Sequence, residues 1–126
     1  RDLVSRKHAE RQTVTVAPHT TVEQAYKNMK LHSISQIPVV NDTGLVGLLD
    51  EEDLLLHVYN SGGFEGTAAD IMATDLQVVD AESDIDSVLD ILTRGMVVPV
   101  VYRGEFQGLI TKIDVLNHMR LAQNQQ

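Results

Sequence analysis

Thr111 and Asp114, three residues apart, are the pair in this 126-residue chain whose types and spacing most readily do chemistry. They follow Gly108-Leu109-Ile110, small and then apolar, as a buried strand end would be. Thr111 is a good N-cap for a helix beginning at Lys112. The Asp114 carboxylate can reach back to the cap N–H or face the helix dipole. A helix N-terminus opening off a strand end is also a place where a ligand's phosphate or ribose can dock. Plain capping is the alternative, and the two roles are compatible. The same layout occurs earlier, as Gly47-Leu48-Leu49-Asp50-Glu51-Glu52-Asp53.

Other chemistries find little support. The chain has no cysteine, which excludes disulfides and thiolate chemistry. It carries no Gly-x-Ser-x-Gly elbow, Walker loop or metal-ligand pair, so neither catalytic residues nor a metal are expected. His57 and His118 recur in register near helix C-termini, where a favourable dipole placement explains them without a metal. His8, His19 and His32 carry no pattern. Tyr26, Tyr59, Tyr102, Phe64 and Phe106 form no stacking platform and read as core or interface anchors. A formal charge of −8 argues against nucleic acid and against a strongly anionic membrane surface. No apolar run approaches the roughly 20 residues that span a bilayer. Cytoplasmic residence is the expectation. Arg1, Arg6, Lys7 and Arg11 read as a solvated basic leader. A chain opening on Arg1 is expected to be a regulatory segment of something larger.

The elements that must position these residues are duplicated. Pro38, Gly47, Asp53 and His57 match Pro99, Gly108, Asp114 and His118 at an offset of 61. Val22, Ala25 and Met29 match Ile85, Val88 and Leu92 at an offset of 63. Asp2-Leu3-Val4 resembles Asp70-Ile71-Met72. Each copy reads as a short strand (13–16, 76–79), a capping box (Thr20 to Glu23, Ser83 to Asp86), an amphipathic helix, a hairpin and a last helix. The first copy with its basic leader is assigned to 1–60, a Gly-rich linker to 61–69, the second copy to 70–121 and a polar tail to 122–126. The fold class is α+β, mixed α/β, with tandem βαββα repeats. Neither copy is large enough to bury its own apolar faces, so the two are expected to pack about a pseudo-two-fold axis. With 43% hydrophobic but 4% aromatic residues, the core should be aliphatic.

This order, with Gly-x-x-Thr-x-x-Asp closing the second copy, resembles the CBS-domain pair, or Bateman module, over residues 2–120. More narrowly, Ser35 to Val40 and Leu45 to Glu51 resemble the C-terminal regulatory module of bacterial cystathionine β-synthases. The resemblance implies a regulatory module with two clefts between its copies. In such modules the motif Asp binds ribose hydroxyls, and the Thr binds ribose or phosphate. One cleft would use Thr111 and Asp114, with Leu109 and Ile113 as wall, closed by Ile34, Ser35, Gln36 and Ile37. The other, weaker cleft would use Asp50, Asp53 and Leu48, with Met96, Val97 and Val98 opposite. There Asp50 replaces the Thr, and Glu51 and Glu52 add charge that would repel a phosphate.

The resulting expectation is a sensor of an adenosine derivative, S-adenosylmethionine or AMP or ATP, that modulates an attached enzyme. S-adenosylmethionine, a sulfonium without phosphate, suits an acidic protein better. No cofactor is expected in this segment; pyridoxal phosphate would belong to an upstream catalytic domain. The alternative is an interaction module that binds nothing small. Its association would use helix faces around Leu54, Leu55, Val58 and Tyr59 and around Val115, Leu116, Met119 and Leu121. Both readings expect a homodimer.

Overall fold

The computed structural model describes residues 14–95 and 97–124. Within them the apolar positions sort into two separate cores, one in each of two compact units, Val14–Leu76 and the chain from Gln77 onward.

In the first unit, helix α1 (Val22–His32) buries Val22, Ala25 and Met29, which fall on one face by helical periodicity. Strands β1 (Gln36–Asn41) and β2 (Gly44–Asp50) form an antiparallel hairpin, and α2 (Glu51–Ser61) leaves directly from its end. Val16 bridges Val39 in parallel on the outer side of β1. On the far side, Ala73 bridges Leu48, after a single-turn helix α3 (Ala68–Ile71) that buries Ala68 fully. Gly47 makes this approach possible. A Cβ there would lie 2.3 Å from Met72 Sδ and 3.1 Å from the Ala73 carbonyl oxygen.

The second unit repeats the plan. Strand β3 (Val79–Asp80) runs parallel to β4 (Val97–Tyr102), which pairs antiparallel with β5 (Glu105–Thr111). Helix α4 (Ile85–Leu92) buries Val88 and Leu92, and α5 (Lys112–Asn124) leaves β5 as α2 leaves β2. The cores correspond residue by residue: Val16 with Val79, Met29 with Leu92, Ile37 with Val98, Leu49 with Ile110, Leu54 with Val115. Their fillings are aliphatic, as the scarcity of aromatics requires.

Four expectations need correction. The caps sit one residue later: Thr21 accepts from the Gln24 N–H and Asp84 from the Ser87 N–H, both at 3.0 Å. Thr20 instead accepts from the Ala17 N–H, closing the turn before the helix. The opening strands are shorter than expected, a lone bridge at Val16 and two residues at β3, because each has one neighbour and no hairpin partner. His57 does more than complement a helix dipole, since its Nε2–H donates to the Glu65 carbonyl at 2.6 Å and holds the following linker against α2. Leu54 and Val115 are buried core residues rather than parts of an exposed helix face. Thr13 and the sequences before it, including Asp2-Leu3-Val4 and the basic leader, lie outside the described residues.

Candidate functional site

Each copy places its candidate residues at a strand-to-helix corner, and the two corners are built alike. At the end of β5, the Thr111 N–H and Oγ1–H both donate to Asp114 Oδ2 at 2.9 Å. The Asp114 N–H returns toward Thr111 Oγ1 at 3.4 Å. The box fixes one carboxylate at the first turn of α5, where the helix dipole favours it. Thr111, Asp114 and Leu109 are half-buried, whereas Ile113 is 69% exposed. That is a fixed carboxylate with an exposed apolar side chain in the same helical turn.

At the end of β2, Asp50 takes the threonine's place. Its Oδ1 accepts from the Asp53 N–H at 2.8 Å, and Asp53 Oδ2 accepts from the Asp50 N–H at 3.2 Å. Two carboxylates now share the turn, with Glu51 and Glu52 between them. The Asp53 carboxyl is raised above its ordinary value, first by burial and then by the neighbouring Asp50 charge, against the opposing hydrogen bond from the Asp50 N–H. Asp53 also opens onto a hollow of about 430 Å³ with Leu56, His57, Asn60, Ser61 and Ile71. The sequence reading missed the polar residues of this hollow. Their signal was the spacing Asp53, His57, Asn60, which a helix places on one face.

Of the remaining candidates, Ile37 and Val98 are fully buried and their side chains belong to the two cores. Neither can offer a side-chain wall. Ile34, Ser35, Gln36, Leu48 and Val97 are half-buried. Met96 lies outside the described residues. The second unit thus brings together Thr111, Asp114 and Leu109, and the first brings together Asp50, Asp53 and Leu48. Among the described residues, no group of three or more metal-ligating side chains occurs. No helix among them is long and apolar enough to cross a membrane.

Comparisons with known proteins agree with this duplicated architecture. The inosine-5'-monophosphate dehydrogenase of Thermoplasma acidophilum is 30% identical over 113 residues, covering 87% of this chain. The chain spans 22% of that enzyme's length. A CBS-domain containing protein from Agrobacterium tumefaciens, ATU1752, superposes with a TM-score of 0.79 at 27% identity, covering 94% of this chain and 96% of that one. The crystal structure of CBSX2 in complex with AMP gives a TM-score of 0.79 at 23% identity, covering 89% and 90% of the two chains. The family model described as the CBS domain matches twice, at residues 2–60 and 68–121. Two matched copies, two corresponding cores and two capped corners make this chain a member of the CBS-domain family, with the mixed α+β fold of a CBS pair.

Proposed function

We propose that this chain is a regulatory module that senses an adenosine-containing ligand through the Thr111–Asp114 corner and modulates an attached enzyme. The observation that carries the reading is the charge of that corner. One carboxylate is held there by two hydrogen bonds from Thr111, and the same first turn carries the exposed residues Lys112 and Ile113. A ribose diol is bound by a fixed carboxylate, a purine by apolar side chains, and a phosphate tolerates one anion far better than four. The AMP complex of the similar CBSX2 fold supports the adenosine assignment. The chain's −8 charge favours S-adenosylmethionine, which lacks a phosphate.

The attached enzyme is the finer part of the reading. Ser35 to Val40 and Leu45 to Glu51 resemble the module of cystathionine β-synthases, whose pyridoxal phosphate would lie in the catalytic domain. The similarity to inosine-5'-monophosphate dehydrogenase makes a second kind of enzyme the rival. Whichever it is, the ligand can regulate only through a difference in its affinity for two arrangements of the module.

Titration calorimetry and thermal unfolding with AMP, ATP and S-adenosylmethionine test the proposal. A ligand specific for the native state at about 100 times its Kd adds about 2.7 kcal/mol of stability. Binding of at least one of the three, lost in Asp114→Ala, is the expected result. Absence of both heat and stabilisation with all three overturns it.

A further inference from the structure

The hollow beside α2 in the first unit has no part in the adenosine reading. It holds about 430 Å³ and is lined by Asp53, Leu56, His57, Asn60 and Ser61 of α2 and by Ile71 of α3. Of the residues expected in the weaker cleft it takes Asp53 and neither Asp50 nor Leu48.

Its polar lining is a row of acceptors. Asp53, His57 and Asn60 fall on one face of α2, with an axial rise of about 10 Å from first to last. Asp53 Oδ2 accepts from the Asp50 N–H, and among the described residues its Oδ1 has no hydrogen-bond partner. His57 commits its Nε2–H to the Glu65 carbonyl, so the neutral ring keeps an acceptor at Nδ1. The Ser61 hydroxyl donates to the Gly63 carbonyl at 3.1 Å and retains its lone pairs. Asn60 and Ser61 stand in the last turn of α2, where the free carbonyls and the dipole favour a cation, yet that turn carries no basic residue.

Charge points the same way. Residues 14–76 carry nine carboxylates against two lysines, so −7 of the chain's formal −8 lies in this unit. Both lysines are on α1, and no ion pair among the described residues involves Asp53. Leu56 and Ile71 add an apolar stretch to the same hollow. A metal ion fits poorly, because no three ligating side chains converge among the described residues.

We propose that this hollow binds an organic diammonium of the polyamine class. One ammonium meets Asp53, the methylenes cover Leu56 and Ile71, and the other ammonium meets Asn60 and the carbonyl end of α2. A monoamine satisfies one end only. The second unit does not repeat the arrangement. At the 61-residue offset Asp114 and His118 recur, but Asn60 and Ser61 become Leu121 and Ala122, and Leu56 becomes Asn117. The inference goes beyond the adenosine reading and stands without it.

The test is titration calorimetry of the 126-residue chain with putrescine, spermidine and butylamine, in the absence of nucleotide, with circular dichroism confirming that each variant is folded. Wild type binds putrescine one to one and at least about tenfold more tightly than butylamine. Asp53→Asn, which keeps an acceptor for the Asp50 N–H, weakens putrescine about tenfold or more. Asn60→Leu removes the advantage of putrescine over butylamine. Glu52→Gln removes the same charge from a residue outside the hollow and changes the affinity by less than about twofold. No heat with putrescine or spermidine at millimolar concentration overturns the proposal. So does butylamine binding as tightly as putrescine, or equal losses in Asp53→Asn and Glu52→Gln, which would mark a diffuse counterion only.

Discussion

The β2–α2 and β5–α5 corners share one backbone design and differ in charge, the first strongly acidic and the second balanced. Both run a strand straight into a helix and close the first turn with a residue pair three apart. The first presents Asp50, Glu51, Glu52 and Asp53, four carboxylates. The second presents Thr111, Lys112, Ile113 and Asp114, one carboxylate and one ammonium. Acidic residues in a first turn stabilise the helix through its dipole, so the first corner secures α2 and resists an anionic ligand. The second reaches the same closure with a neutral hydroxyl, and so carries fewer charges that would repel a phosphate. Duplication supplied the geometry twice, and substitution changed its charge.

The largest effect separates the two aspartates. Asp114→Ala should remove all ligand-dependent stabilisation, about 2.7 kcal/mol at about 100 times the wild-type Kd, whereas Asp53→Ala should leave it in place. Thermal unfolding with and without ligand reads this directly, and equal losses in both variants would erase the distinction between the corners. Next in size is Thr111→Asp, which gives the second corner the first one's paired carboxylates. AMP affinity should fall about tenfold or more and S-adenosylmethionine affinity less, a ratio that calorimetry measures. The reverse change, Asp50→Thr, should alter stability by no more than about 1 kcal/mol in chemical denaturation, since a hydroxyl cap replaces a carboxylate cap.

The smallest effect is in pH dependence. Because the folded-state value of Asp53 is raised, the folded protein binds this proton more tightly than the unfolded chain. The associated stability is complete below the ordinary aspartate value and is lost as pH rises through the folded value. Asp53→Asn keeps an acceptor for the Asp50 N–H but removes the proton equilibrium. Its denaturation midpoint should converge with wild type in acid and exceed it slightly near neutrality; parallel curves would show that neither burial nor the Asp50 charge raises the Asp53 carboxyl in the folded protein.

Much of this was legible because a repeat read at two offsets aligns side chains that do the same job. Val22, Ala25 and Met29 and their counterparts Ile85, Val88 and Leu92 declared their faces through helical spacing, and the capped corners through Thr111 and Asp114. What stayed hidden depends on contacts that neither residue type nor periodicity encodes. Thr20 and Thr21 are equally good caps by type, and only the turn accepting the Ala17 N–H decides between them. Leu54 and Leu55 are equally apolar, and the packing of α2 on the hairpin sends one into the core and leaves the other 68% exposed. The imidazole of His57 finds its acceptor at Glu65, eight residues on, across a glycine-bearing bend that no periodicity encodes.

The Leu48–Ala73 bridge has a practical and evolutionary consequence. The first match to the family ends at residue 60, yet Ala68, Met72 and Ala73 lie against the hairpin of the first unit. The segment inherited as the opening of one copy thus serves as the flank of the copy before it. Severing the chain at residue 60 would strip a sheet of its outer border and bare the methyl of Ala68, while severing it after residue 76 would leave that unit whole. Ancestry and mechanical integrity divide this polypeptide at different places, and a gene fusion respecting only the first would inherit a broken part.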